Sequence, residues 1–167
     1  MAVDEYDPFT QVYQGLWDLL EADTDFNTLV PDTDVRVKYE GTQVYHDLDE
    51  VNEARPYMVA VVCKEIHPGL EGSSNGTFTD TVWTIEINTA WQGTAPLFRL
   101  AFVIMRAMRE WREYLMNALL WNDQEFIWDC TPGKAQAKLG SPSNKGIKGW
   151  TAVWEGSVRM HFKTDTF

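Results

Sequence analysis

Residues 94–120, TAPLFRLAFVIMRAMREWREYLMNALL, are the longest periodic stretch in the chain. Leu97, Leu100, Ala101, Ile104, Ala107, Met108, Trp111, Leu115 and Leu119 recur at i, i+3, i+4, i+7 spacing, which predicts one central amphipathic helix. Thr94 suits the N-cap, and Pro96 sits in the first turn, where a missing N–H costs little. The other face carries Arg99, Arg106, Arg109, Glu110, Arg112 and Glu113, with Arg106–Glu110 and Arg109–Glu113 spaced to pair. Phe98, Phe102 and Met105 widen the apolar arc. Such a helix needs a broad partner, and a sheet is the partner the remaining sequence can supply.

A first helix opens at Asp7-Pro8, with Asp7 as cap, and should end near Ala22. Phe9, Val12, Tyr13, Leu16 and Leu20 form its stripe, with Trp17 and Leu19 beside it. Residues 23–34 read as an acidic connector whose Phe26, Leu29 and Val30 tuck under the fold. Val35, Val37 and Tyr39 alternate with Arg36, Lys38 and Glu40, the period of a half-buried strand, and Glu40-Gly41 marks a turn, after which residues 42–45 pair back briefly. Residues 46–55 read mainly as a polar loop. The apolar run at 57–66 predicts an interior strand covered on both faces. Residues 67–78 are rich in Gly, Ser and Asn and read as a long hairpin loop. A strand returns over 79–89, with Trp83, Ile85 and Ile87 on one face. Residues 126–130 suggest a short strand, residues 133–149 a second long loop, and residues 150–162 a final strand with a bulge or tight turn at Glu155-Gly156. The fold class that follows is α+β: a mainly antiparallel sheet of four to five strands, two helices packed on one face, and long hairpin loops, in one domain over residues 1–167.

The 44% hydrophobic content supports a real core, and no run reaches the length of a membrane span. The N-terminus lacks the basic and apolar regions of a signal peptide. Cys63 and Cys130 lie in apolar surroundings without CxxC spacing and read as reduced thiols of a cytoplasmically made protein. A net charge of −11 argues against a general grip on nucleic acid. The charge is uneven: residues 1–53 hold 14 acids against Arg36 and Lys38, whereas residues 131–167 hold six bases against Glu155 and Asp165. A solvated acidic face with a basic loop is one reading; two complementary surfaces for head-to-tail association is the other.

No nucleophile elbow, metalloprotease helix, P-loop or dinucleotide fingerprint is present. His46 lies among Asp47, Asp49 and Glu50 without the spacing or glycine of a calcium loop. His161 should face solvent or a polar neighbour. Cys63 has no histidine partner, and Glu65 and Glu86, on neighbouring strands, could pair but more simply face water. The expectation is therefore no catalytic residue, no metal and no cofactor. Eight tryptophans are more than a core can bury without a partner for each indole N–H, so some are expected at contact surfaces together with the loops.

The N-terminal helix, the VRVKYEG strand, the run ending RPYMVAVVCKEI, the hairpin closing with VWTIEINTAW, the helix LFRLAFVIMRAMREW and the final GWTAVWEGSVRMHF together give an order of elements. In that order the chain resembles the tail terminator (tail completion) proteins of long-tailed bacteriophages, over most of its length and without a diagnostic motif. The resemblance implies a virion protein made in the host cytoplasm, which forms a homohexameric ring on the end of the tail tube. The ring would stop tube growth and join the tail to the head-tail connector. DNA would pass through its channel without specific binding, and neither catalysis nor a membrane is involved. The partners implied are other copies of the chain, the tail tube protein and the connector. Gly69, Leu70, Phe78, Trp150 and Trp154 are the candidate subunit or tube contacts. Three rival readings stay open: another neck or minor tail protein such as a head-closure protein, a plain protein-binding adaptor, and a small α+β enzyme or ligand-binding domain. The last would have a pocket lined by Tyr45, His46, Cys63, Glu65 and Glu86.

Overall fold

The computed structural model describes residues 7–30, 36–37, 39–40, 42–43, 57–73, 76–89, 95–142 and 148–163. Asp7 caps α1 (Pro8–Glu21) by accepting from the Thr10 N–H at 2.9 Å, and Pro8 opens the helix as its sequence position requires. Val12, Leu16, Trp17 and Leu20 are buried along its inner stripe. The acidic connector contains a second short helix, α2 (Thr24–Leu29), capped by Asp23, with Phe26 and Val30 buried as expected. The strand expected before Gly41 is divided into β1 (Arg36–Val37) and β2 (Tyr39–Glu40), and β3 (Thr42–Gln43) pairs back on β2. Thr94 and residues 46–55 lie outside the described residues.

β4 (Tyr57–Ser73) and β5 (Gly76–Thr89) form an antiparallel hairpin with register Tyr57↔Thr89 at one end and Ser73↔Gly76 at the other. The loop expected over 67–78 is therefore mostly strand. Its Gly, Ser and Asn content hides the pairing from a periodicity argument, because backbone N–H and C=O groups complete a ladder whatever the side chains are. The same holds at the C-terminus. β8 (Ile127–Pro142) and β9 (Lys148–Lys163) pair from Ile127↔Met160 to Pro142↔Lys148, where a loop was expected over 133–149.

The sheet has the order β1-β4-β5-β9-β8, antiparallel except for the short parallel β1–β4 contact. β5 and β9 pair rung for rung from Gly76↔Lys163 to Thr89↔Trp150. No bulge falls at Glu155-Gly156 in this pairing; the bulge is on the other neighbour, β8, between Pro132 and Ala135. The two hairpin ends lie at opposite ends of the sheet, since Gly76 faces Lys163 while Trp150 faces Thr89.

The predicted central helix is two helices, α3 (Ala95–Ala107) and α4 (Trp111–Ala118). Between them Arg109 N–H bonds to the Arg106 carbonyl and Trp111 N–H to the Met108 carbonyl, both at 3.2 Å and both reaching back three residues. This tightened turn redirects the chain so that α3 packs over β9 and α4 over β8. It also removes the expected Arg106–Glu110 pairing: Arg106 instead binds Asp23 at 3.0 Å and Asp25 at 2.7 Å, tying α3 to α2. The sheet thus carries more than the two helices expected, with α1, α3 and α4 all contacting it. α1 approaches α4 closely at Gly15, where a Cβ would lie 2.8 Å from Leu115 Cδ2. After α4 a tight hairpin joins β6 (Leu120–Trp121) to β7 (Gln124–Glu125), with Asn122 and Asp123 at positive φ.

The core lies between this helix layer and one face of the sheet. Val59, Val61, Trp83, Ile85, Ile87, Ala152, Val158, Met160 and Phe162 point into it from the strands. From the helices come Leu97, Leu100, Ile104, Met108, Trp111 and Leu115. Trp83 is buried at low cost because its indole N–H donates to Thr81 Oγ1 at 2.8 Å, and that hydroxyl donates to the Val158 carbonyl at 2.9 Å. β4 is an interior strand but is not covered on both faces, since Val62 and Ile66 are exposed.

Candidate interaction surfaces

The five contact candidates fall into two groups at opposite ends of the sheet. Gly69, exposed with φ of 81°, and Leu70, whose backbone pairs with Phe78, belong to the β4–β5 arm. Trp150 and Trp154 belong to β9, with Trp150 registered against Thr89 and Leu139. Two of the candidates are engaged within the chain. Phe78 meets Trp128 edge-on at 5.2 Å, lies tilted against His161 at 4.6 Å, and carries the Arg159 guanidinium 5.8 Å from its ring. Trp154 meets Trp111 edge-on at 5.1 Å, over Gly156. The exposed aromatic of the first cluster is Trp128, 56% accessible, which lies within the strand predicted over 126–130. His161, expected to face solvent or a polar neighbour, is half-buried, and its ring lies between Phe78 and Trp128. On the same face Arg159 donates from Nε to Asp80 at 2.7 Å, and this hydrogen bond holds the Asp80 carboxyl below the usual carboxylate range.

The described residues of the pocket reading, Cys63, Glu65 and Glu86, do not converge. Cys63 stands opposite Trp83 on the helix side, whereas Glu86 is registered with Ala60 on the other face. Glu65 contacts His67 at 3.1 Å rather than Glu86. Burial raises the Cys63 thiol above its ordinary pKa and pushes Cys130 up to about 12, so neither is poised as a thiolate. Tyr45 and His46 lie outside the described residues. Among the described residues no group of three or more His, Cys, Asp or Glu is placed to hold a metal ion, and no helix is long and apolar enough to cross a membrane.

The surface that sequence reasoning missed is on α3. Phe98, Phe102 and Met105, expected to widen the buried arc, are 54%, 63% and 54% exposed. At 100° per residue they form a separate face, centred about 120° around the helix from the buried stripe of Leu97, Leu100, Ile104 and Met108. The signal was present: a helix apolar on both sides is one whose second side is covered by something else. Exposed Arg99 and partly exposed Arg106 border the stripe on one side. On the other side a shallow groove of about 150 Å³ runs between α3 and the sheet, floored by Ala101, Ala135, Ala152 and Trp154. Next to it, residues 131–136 of β8, the last strand of the sheet, are all exposed. Pro132 and a bulge interrupt that edge, which discourages indiscriminate strand addition.

No family model matches the chain, and no curated protein does. Among solved structures the fold is similar to a chain in the virion of a native gene transfer agent particle. The TM-score is 0.52 at 14% identity, with 88% of this chain and 92% of that chain covered. At this identity the likeness is one of fold.

Proposed function

We propose that this chain is a structural protein of a phage-like virion, and that within such a particle it acts as a tail terminator: a self-associating ring that ends the tail tube and joins it to the head connector. The observation that carries the reading is the fold shared, over most of both chains, with a protein of a gene transfer agent virion. The α3 stripe supports the assembly half of it. Three large apolar side chains in a row, bordered by arginines, have the composition of a contact surface whose centre is apolar and whose rim is charged. The role needs no catalysis, and the groove beside α3 is suited to taking an apolar side chain from a partner. Its lining offers only Gln136 and the Trp154 indole as side-chain polar groups. A net charge of −11 keeps a DNA channel from gripping phosphates.

The test is absolute mass in solution by light scattering over a concentration and salt series, followed by binding to purified tail tubes. The expected result is a hexamer-sized particle that caps tube ends. A protein that stays monomeric at every concentration and also ignores tail tubes overturns the reading.

A further inference from the structure

The described methionines differ sharply in how far solvent reaches them. Met160 and Met108 lie in the core, 0% and 2% exposed, Met116 packs against it, and Met58 is half-buried on β4. Met105 is 54% exposed. It stands at the lip of the groove beside α3, with Ala101 and Ile104, and ends the exposed row of Phe98 and Phe102. A thioether is oxidised according to how openly an oxidant reaches its sulfur. Neither thiol competes, because burial raises the pKa of both Cys63 and Cys130 and leaves the reactive thiolate scarce. We propose that Met105 is an oxidation site, at which conversion to the sulfoxide turns the α3 surface from apolar to polar without disturbing the fold.

The oxidant is a peroxide. A lone pair on Met105 Sδ attacks one peroxide oxygen, the O–O bond breaks, and with hydrogen peroxide one water leaves as the sulfur loses two electrons. At Met108, one turn further along, the added oxygen would enter the core as a buried polar atom and cost the fold its desolvation. At Met105 the oxygen meets water, and the groove lining supplies Gln136, an exposed residue of β8 whose amide can donate to it. The sulfoxide is a polar, chiral group in place of a flexible apolar one, so the patch formed with Phe98 and Phe102 loses one of its three members. The step is reversible, because methionine sulfoxide reductases return the thioether, one enzyme for each sulfoxide epimer. Loss of self-association on oxidation rests on the proposed function; the choice of sulfur and the change of surface do not.

The experiment treats the full chain with dilute hydrogen peroxide at neutral pH. Peptide mapping by mass spectrometry locates each added oxygen, and thermal melting and retention on a phenyl hydrophobic-interaction column are read on the same samples. Among the described methionines, the first oxygen is expected on Met105 while Met108 and Met160 stay reduced. The melting temperature should stay within a few degrees of the untreated chain, since the position is exposed, and elution should come earlier. Met105→Leu keeps the apolar surface without the sulfur, so its retention should not respond to the same treatment. A first oxygen on another described methionine overturns the choice of site. Unchanged retention, or the same shift in Met105→Leu, overturns the change of surface, and unfolding with one oxygen on Met105 places that side chain in the core. The mass of the untreated chain is read separately: a monomer at every concentration counts against the ring and leaves these three readouts intact.

Discussion

Gly156 is the point on β9 over which two tryptophans meet, Trp111 from α4 and Trp154 from β9 itself. A Cβ placed there would lie 2.7 Å from Trp111 Cη2 and 2.8 Å from Trp154 Cη2, inside contact distance of both rings. Gly156→Val should therefore destabilise the fold by about 2 kcal/mol, an overpacking cost, measured by urea unfolding. The sequence drew attention to this glycine for a bulge; what it could not reveal is that a ring from another element needs the space. Asp80 and Arg159 give a second residue-level expectation. The carboxyl's pKa is lowered in the folded state, so the pair adds stability above the ordinary carboxylate range and loses it as pH falls through the folded value. Arg159→Met should be less stable than the parent near neutrality and converge with it once the pH has fallen below the folded value of Asp80, with a small gap because both groups are partly in water. Equal stability at all pH values would show that the pair contributes nothing. Alternation along β9 correctly predicted Val158, Met160 and Phe162 as core. His161 was read as facing solvent or a polar neighbour on the same logic, and its aromatic surroundings depend on Phe78 and Trp128, which come from two other strands.

Among the elements, α3 and α4 show what periodicity can and cannot read. The spacing identified the buried stripe through Met108, Trp111 and Leu115, but a turn of three residues leaves a 3.6-residue pattern almost in phase, so the break was invisible. The outward stripe was mistaken for core because apolar type alone does not say which side of a helix is covered. Two methionines make the distinction measurable. Met108 is 2% exposed and Met105 54%. Met108→Asp should unfold the domain, since it places a charge where no partner is available, whereas Met105→Asp should leave the melting temperature within a few degrees and weaken self-association by about tenfold or more. If Met105→Asp also unfolds the chain, the stripe belongs to the core after all. The hairpin arms were hidden for a different reason. Residues 67–78 and 133–149 lack alternation, yet the strands on either side of each are long enough to carry pairing onward. Ladder formation is a property of the backbone and of its neighbours, and composition reports on it only indirectly.

For the molecule as a whole, the α+β class and the antiparallel sheet were readable because long apolar strands alternate with turn signals and the helices have one clear inner face. The exposed apolar patches were not, since a patch is assembled from residues whose common feature is position. Phe98, Ile66 and Trp128 are far apart in sequence, and each looks like an ordinary core residue until the covering layer is located and found to leave it bare. The sheet is not equally regular across its width. The two middle strands share an unbroken ladder from Gly76↔Lys163 to Thr89↔Trp150, while β4 and β8 on either side are interrupted by bulges. Tension applied along those strands would be distributed across all the rungs at once and resisted in shear, with no single bond opening ahead of the rest. The flanking strands can yield at their bulges. A subunit built this way has a stiff keel and compliant sides, so its middle holds its length while its edges can adjust to whatever they meet.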